Sequence, residues 1–146
     1  MSQGPSRFLI TGAASGIGRR LVDDVLARGH RVLAADLAED ALEAIEEWPA
    51  GRVIRRRLDV RDPDAWGEAV ASAAAAFGGL DVVMNVAGVL RPGAIASCSA
   101  EDVDLHLDVN LKGVIHGTRA AARFMVEQGH GHIINIASLA SMAPVP

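Results

Sequence analysis

The sequence predicts a three-layer α/β fold, in which helices cover both sides of a parallel, doubly wound sheet. Short apolar runs alternate with helical patterns from one end of the 146 residues to the other. Several of these runs are continuously apolar, which is typical of parallel strands that are buried on both faces. The 15 glycines cluster where apolar runs end and therefore indicate turns between strands and helices.

Five apolar runs are the predicted strands. They are rich in aliphatic and β-branched residues, and helical patterns separate them. In chain order they cover residues 8–10, 32–35, 53–54, 80–84 and 133–137. Because strands and helices alternate throughout, without a low-complexity linker or a repeat, the pattern favours parallel pairing within a single domain over residues 1–146.

The first two predicted helices follow the first two strands. Apolar residues of the first share one face: Ile17, Leu21, Val25 and Leu26. Gly29 is expected to end that helix, since glycine readily adopts the left-handed conformation found after helices. The second helix is marked by Leu42 and Ile45 and is expected to stop near Pro49.

The third and fourth predicted helices begin with recognisable caps. Asp62 and Pro63 form an N-cap followed by a first-turn proline. The longest helix begins with a capping box from Ser99 to Asp102, and Gly129 follows it. Its apolar residues are expected along one face: Val103, Leu107, Leu111, Val114, Ala121 and Met125.

Composition excludes several classes of protein. The formal net charge is −4, and nucleic-acid binding, which usually needs a concentrated basic face, is not expected. A single cysteine excludes an internal disulfide and the usual cysteine-rich zinc sites. No apolar stretch approaches the ~20 residues of a membrane span, and the polar N-terminus lacks the apolar core of a signal peptide. The sequence therefore predicts a cytoplasmic protein with no membrane partner and no metal.

A glycine-rich turn separates the first strand from the first helix. It runs from Thr11 to Gly18 and spaces its glycines as Gly-x-x-x-Gly-x-Gly. Glycines at this point allow a tight turn and let the backbone approach a pyrophosphate, which then meets the N–H groups at the start of the helix. The alternative is a tight turn with no ligand.

The residue that ends the second predicted strand indicates which cofactor binds. The carboxylate of Asp36 can accept hydrogen bonds from both adenosine ribose hydroxyls and would repel a 2′-phosphate. Leu37 stands where a protein that binds that phosphate would carry a basic side chain. The alternative is a solvated aspartate that caps the next helix. Together with the glycine turn, Asp36 favours NAD over NADP.

Several motifs, in register along all 146 residues, resemble those of the classical short-chain dehydrogenase/reductase family. Thr11 to Gly18 resembles its cofactor loop, and Asp59-Val60 resembles the acid pair that binds adenine after the third strand. The segment Asn85–Gly88 is similar to the family's Asn-Asn-Ala-Gly, with valine in place of the second asparagine. Asn110 and Ser138 match the asparagine and serine of the catalytic tetrad.

The resemblance implies a Rossmann-type sheet of strand order 3-2-1-4-5 and a role for each matched residue. Asp59 would accept a hydrogen bond from the adenine amino group, and Val60 would offer its backbone. Asn85 would bridge neighbouring strand ends, while Ala87 and Gly88 would leave room for the nucleotide. With the glycine turn and Asp36, the predicted cofactor-binding residues are Gly12, Ser15, Gly16, Ile17, Gly18, Asp36, Leu37, Asp59, Val60, Asn85, Ala87 and Gly88.

The resemblance also implies an activity. An NAD-dependent oxidoreductase of this family transfers a hydride between nicotinamide and a small alcohol or carbonyl compound. Ser138 would hold the substrate oxygen, and Asn110 would organise a proton-relay water. The long helix resembles the one that forms the family's subunit interface, which implies a homodimer or homotetramer.

One part of the family's catalytic machinery has no match. The sequence contains no tyrosine, and its one lysine, Lys112, precedes Ser138 and so cannot belong to the family's Tyr-x-x-x-Lys pair. The simplest account is that the sequence stops before the catalytic helix and represents the N-terminal, cofactor-binding portion, which would be inactive alone. The alternative is a non-catalytic module that binds NAD.

Overall fold

The sheet confirms the predicted strand order. The structure is a computed structural model that describes residues 4–138. Within them the strands are β1 (Arg7–Thr11), β2 (Arg31–Asp36), β3 (Val53–Arg57), β4 (Val82–Asn85) and β5 (His132–Asn135). All neighbouring strands are parallel, and their order across the sheet is β3-β2-β1-β4-β5.

The helices lie between the strands, as the alternating pattern predicts. They are α1 (Gly16–Ala27), α2 (Glu39–Glu43), α3 (Pro63–Phe77), α4 (Ala100–His106) and α5 (Val114–Gln128). A π-helical segment, Leu107–Gly113, joins α4 to α5, so that residues 100–128 form one long helix. Helix α2 is shorter than predicted: it ends at Glu43, and Ile45 follows it with its side chain buried.

Two apolar clusters, one on each face of the sheet, make the three layers. Consecutive residues of β1 point to opposite faces, so that Leu9 belongs to one cluster and Ile10 to the other. The cluster around Leu9 packs against α3 and α5, with Trp66 as its largest fully buried side chain. The cluster around Ile10 packs against α1 and contains the buried Leu42 of α2.

The predicted caps are present at the starts of helices. Asp62 Oδ1 accepts hydrogen bonds from the backbone N–H groups of Asp64 and Ala65, at 2.9 and 3.2 Å. Ser99 Oγ accepts one from the N–H of Asp102 at 3.1 Å. Gly29 and Gly129 follow their helices with φ of 83° and 84°, the left-handed conformation that glycine adopts most readily.

The predicted apolar faces of two helices are partly wrong. Ile17 is 64% exposed rather than packed with Val25 and Leu26, because it lies in the first turn of α1 beside an open cleft. In the long helix, Ala121 and Met125 are buried, but the predicted residues nearer its start face outwards. Val103, Leu107 and Leu111 are 42%, 46% and 53% exposed.

Glycines rather than large apolar residues bring the long helix onto the sheet. A Cβ atom added to Gly113 would lie 2.9 Å from the side chain of Val60. One added to Gly117 would lie 2.6 Å from the indole of Trp66. The helix therefore buries the side that carries these glycines together with Val109 and Met125, whereas Val103, Leu107, Leu111 and Ile115 are exposed.

An ion pair joins β1 to Asp81, the residue before β4, at the amino ends of the strands. Arg7 donates to Asp81 through Nε at 2.8 Å, through Nη2 at 2.6 Å and through its backbone N–H at 2.8 Å. Its Nη1 also donates to the carbonyl oxygen of Gly78 at 2.6 Å. Because Arg7 donates to it, the pKa of the Asp81 carboxyl lies below its ordinary value.

Across residues 4–138, no helix has the length and apolar character needed to cross a membrane.

Candidate nucleotide site

A cleft of about 470 Å³ opens at the carboxyl end of the sheet. It lies where the strand order reverses, between β1 and β4, which is where open α/β sheets bind their ligands. Eleven of the twelve predicted cofactor-binding residues line it: Gly12, Ser15, Gly16, Ile17, Gly18, Asp36, Leu37, Asp59, Val60, Ala87 and Gly88. The sequence motifs are thus brought together at one place.

The glycine turn leaves room at the start of α1. Gly12 and Gly16 adopt φ of 69° and 54°, the left-handed region that side chains disfavour. A Cβ atom on Gly18 would overlap the carbonyl group of Gly12, so this glycine allows the helix to follow the turn so closely. Around Gly16, in contrast, nothing lies within 4 Å of an added Cβ.

The first turn of α1 presents unpaired backbone donors to this open space. Ser15 is the N-cap, but its side chain makes no capping hydrogen bond, and no acidic residue lies in the first turn. The backbone N–H groups at the beginning of a helix have no partner within it and carry partial positive charge. The start of α1 can therefore bind an anionic group.

Asp36 lies at the carboxyl end of β2 and is fixed by two backbone N–H groups. Its Oδ2 accepts from Ala14 at 3.0 Å, and its Oδ1 accepts from Ala38 at 2.9 Å. The carboxylate thereby contacts the glycine turn rather than capping α2, whose N-cap is Ala38. Leu37, which follows it, is 50% exposed and also lines the cleft.

The carboxylate of Asp59 is held by Arg61. Arg61 donates through Nε to Oδ1 at 2.9 Å, through Nη2 to Oδ2 at 2.6 Å and through its backbone N–H to Oδ1 at 3.0 Å. These hydrogen bonds hold the pKa of the Asp59 carboxyl below its ordinary value. Next to it, the carbonyl oxygen of the buried Val60 accepts a hydrogen bond from Trp66 Nε1 at 3.1 Å. Arg61 lines the cleft too.

The turn after β4 forms the facing wall and is tied to the end of β1. Thr11 Oγ1 accepts hydrogen bonds from the backbone N–H groups of Val86 and Ala87, both at 3.1 Å. A Cβ atom on Gly12 would lie 3.0 Å from Cα of Ala87. The two turns therefore pack closely and leave the cleft between them and the ends of β2 and β3.

A family model described as short chain dehydrogenase matches residues 7–146. The chain belongs to this family. One curated relative is the 2-(R)-hydroxypropyl-CoM dehydrogenase of Xanthobacter autotrophicus, which is 39% identical over 145 residues, covering 94% of this chain and 58% of the relative. Another is the NADP-dependent 3-hydroxy acid dehydrogenase of Salmonella typhi, which is 38% identical over 139 residues, covering 93% and 55%.

The solved structures include a close match in fold. A short chain dehydrogenase/reductase from Burkholderia phymatum, in complex with NAD, superposes with a TM-score of 0.91 at 33% identity. The match covers 100% of this chain and 54% of that one. The chain thus spans just over half the length of these short-chain dehydrogenase relatives.

Asn85, the twelfth predicted cofactor-binding residue, lies beneath the cleft rather than in its lining. It is 2% exposed, and its Nδ2 donates to Asn135 Oδ1 at 2.7 Å. The backbone carbonyl oxygen of Asn85 accepts a hydrogen bond from the backbone N–H of Ile136 at 3.0 Å. Asn85 therefore bridges the ends of β4 and β5, as the resemblance to short-chain dehydrogenases implies.

The two residues predicted to be catalytic lie on separate elements at this end of the sheet. Asn110 is in the π-helical segment, where its Oδ1 accepts from the N–H of Val89 at 2.8 Å and its Nδ2 donates to the carbonyl oxygen of Val89 at 2.9 Å. Ser138 is exposed and follows β5. Residues 139–146 lie outside the described residues.

Some cleft residues were not predicted from the sequence. Leu58, Leu105 and Val109 contribute apolar surface to its wall. Arg61 was also not predicted, and it lies two residues after Asp59, whose carboxylate it contacts. In residues 4–138 no three His, Cys, Asp or Glu side chains are grouped to hold a metal ion.

Proposed function

We propose that the full protein is an NAD-dependent oxidoreductase of the short-chain type that acts on a small alcohol or carbonyl compound. The observation that carries this proposal is the position of Asp36 in the cleft, at the end of β2 and in contact with the glycine turn. Family membership gives the reaction class, and the cleft gives the place where the nucleotide would bind.

The start of α1 fits the pyrophosphate of this cofactor. Its N–H donors are not used by a cap, and the space beside Gly16 is open. Asp36 would accept the ribose hydroxyls at the adenosine end. The adenine amino group would share the Asp59 carboxylate with Arg61, while the backbone of Val60 lies alongside.

NAD rather than NADP is proposed because of charge. The 2′-phosphate of NADP would lie against the carboxylate of Asp36, and the next residue, Leu37, offers no positive charge. The family itself contains both kinds of enzyme: a relative is named as NADP-dependent, and a similar solved structure is described with NAD. The choice therefore depends on residues at this site rather than on the fold.

The chain's own residues would then orient the reactants. When bound, nicotinamide exchanges a hydride at C4 with the carbinol or carbonyl carbon of the substrate. The hydroxyl of Ser138 would hold the substrate oxygen, and Asn110 would hold the wall of the cleft through Val89. The family's general acid/base is a tyrosine, and none occurs among these 146 residues, so the proposed activity belongs to the full protein.

Hydride transfer by the full-length protein tests the proposal. With NAD and a panel of small alcohols, NADH absorbance should rise, and Ser138→Ala should lower kcat/KM by about 100-fold, the usual scale for one lost oxygen-stabilising contact. Ser72→Ala on α3, away from the cleft, is the matched control and should leave kcat/KM unchanged. A protein that binds NADH but oxidises no substrate would instead be a non-catalytic NAD-binding module.

We also propose that the protein is a homodimer or homotetramer. Four apolar side chains at intervals of four residues lie on the outward side of the long helix: Val103, Leu107, Leu111 and Ile115. Their exposure of 42–53% in the isolated chain is unfavourable in water and would fall if a second copy packed against them. The cytoplasmic location remains a prediction.

A further inference from the structure

The backbone after Gly88 is held to the long helix by two side chains one helical turn apart. Asn110 binds both the N–H and the carbonyl oxygen of Val89, at 2.8 and 2.9 Å. His106 Nε2 accepts a hydrogen bond from the N–H of Arg91 at 3.0 Å. Val89 itself lines the cleft, and these contacts hold it together with the two residues that follow it; we term residues 89–91 the wall segment.

The three backbone groups involved lie on one edge of the wall segment. In an extended chain the N–H and carbonyl of one residue point to the same side as the N–H two residues later. Asn110 and His106 thus replace a neighbouring strand, and Leu90, between the bonded residues, is left 80% exposed. Without Asn110 the backbone groups of Val89 would lose their hydrogen bonds, and without His106 the N–H of Arg91 would lose its acceptor.

The imidazole of His106 can make its contact in only one protonation state. Its Nδ1 lies 2.6 Å from the carbonyl oxygen of Asp102, which can only accept, so Nδ1 carries a hydrogen. Its Nε2 accepts from Arg91 N–H and therefore carries none. A second proton on the ring would occupy Nε2 and set two N–H groups against each other.

We infer that His106 is a positioning residue that holds the wall segment only while its imidazole is uncharged, so that the cleft binds NAD more weakly in mild acid. The inference rests on the proposed function for its ligand. Histidine is the side chain that usually changes charge between about pH 5 and 8, and carboxylates in general do so near pH 4. Of the charged side chains on the elements in contact, Arg91 is in the wall segment, Glu101, Asp102 and Asp104 are on α4, and Asp108 and Lys112 are in the π-helical segment, where Lys112 donates to Asp108 at 2.6 Å.

Magnetic resonance of the full-length protein, labelled with ¹⁵N in histidine and in the backbone, tests the contact without any ligand. At pH 8 His106 should be the tautomer with hydrogen on Nδ1, and the Arg91 amide should be protected from hydrogen exchange. Its protection factor, corrected for the intrinsic rate, should fall about three- to tenfold as His106 gains its proton, which is the scale of one hydrogen bond. Hydrogen on Nε2 at pH 8 would overturn the inference.

The NAD dissociation constant, measured from pH 8 to pH 5.5, tests the consequence. It should rise about three- to tenfold in the unmodified protein. His106→Ala should bind as weakly at pH 8 as the unmodified protein does at pH 5.5, with little further change. His106→Gln retains an acceptor that does not titrate and should restore tight binding at both pH values.

His30 provides the matched control. Its Nδ1 also accepts a backbone N–H, from Ser6 at 3.1 Å, but at the amino end of the sheet, away from the cleft. His30→Gln should therefore retain the pH profile of the unmodified protein. If the NAD dissociation constant of His106→Gln depends on pH as it does in the unmodified protein, the inference is overturned. A protein that shows the predicted tautomer and Arg91 protection but binds no NAD would contradict the proposed function instead.

Discussion

At the scale of single residues, the turn between β1 and α1 depends on the absence of a side chain at Gly18. An added Cβ would overlap the Gly12 carbonyl, which is backbone and has little freedom to move. We expect Gly18→Ala to lower the free energy of unfolding by about 1–3 kcal/mol, the usual cost of overpacking. It should also weaken NAD binding, because the start of α1 must shift. Urea unfolding and calorimetric titration of the full-length protein measure the two effects.

Gly67 supplies the matched control for that substitution. It is exposed within α3, and an added Cβ would have nothing within 4 Å. Gly67→Ala should therefore keep NAD affinity and raise the free energy of unfolding by up to about 1 kcal/mol, since alanine is the better helix former. Equal losses of stability in both variants would show that crowding against Gly12 is not the cause.

Individual side chains of the cleft were predictable to different degrees. The glycines and Asp36 follow from spacing, because turn geometry and strand ends fix their positions. The Arg61 side chain could not be placed in the same way, since a long, flexible side chain has many rotamers and its choice of Asp59 depends on the folded backbone. The contact of His106 with Arg91 joins residues 15 positions apart and follows no local pattern.

At the scale of elements, the Arg7–Asp81 pair joins β1 to β4 and should make stability depend on pH. The pKa of Asp81 is lowered in the folded protein, so the pair stabilises above about pH 4, the ordinary aspartate value, and its contribution is lost as the pH falls through the lowered pKa. We expect Asp81→Asn to lower the free energy of unfolding at pH 7 by about 1–2 kcal/mol. The difference should shrink in acid, as measured by urea unfolding at several pH values.

The exposed pair of Arg20 and Asp24 on α1 is the control. Their side chains are 77% and 42% exposed, so water screens the attraction between them. Asp24→Asn should change the free energy of unfolding by no more than about 0.5 kcal/mol at any pH. A pH dependence in Asp81→Asn no larger than that in Asp24→Asn would contradict the role given to Arg7.

The existence of each helix was easier to predict than its orientation. Caps such as Asp62 and Ser99 have local causes and are found where the sequence predicts them. The buried side of the long helix was predicted only in part, because hydrophobicity favours large residues, whereas close packing on Val60 and Trp66 requires the small residues Gly113 and Gly117. Which side of the long helix faces the sheet therefore depends on the residues that it packs against, and not on the sequence of the helix alone.

At the scale of the whole molecule, the outward apolar side chains of the long helix predict self-association. We expect Leu107→Glu with Leu111→Glu to reduce the mass measured by light scattering to that of a monomer, because two buried carboxylates in a subunit interface would be strongly unfavourable. Ala75→Glu, at an exposed position of α3, is the control and should keep the oligomeric mass. A monomeric unmodified protein would contradict the proposal.

The strand order was the most predictable property of the molecule as a whole. Alternating strands and helices require parallel pairing, and the resemblance to short-chain dehydrogenases supplies the order that the structure confirms. The substrate was not predictable, because the matched motifs are those that the resemblance assigns to the cofactor and to the chemistry that all substrates of the family share.

The affinity of the full-length protein for NAD relative to NADP tests the account most directly. Asp36 should favour NAD by roughly one to two decades in dissociation constant, the range of a charge-assisted hydrogen bond, with repulsion of the 2′-phosphate acting in the same direction. Asp36→Ala combined with Leu37→Arg should shift the preference towards NADP by removing the repulsion and adding a phosphate partner. If the unmodified protein binds NADP as tightly as NAD, the role given to Asp36, and with it the proposed cofactor, is contradicted.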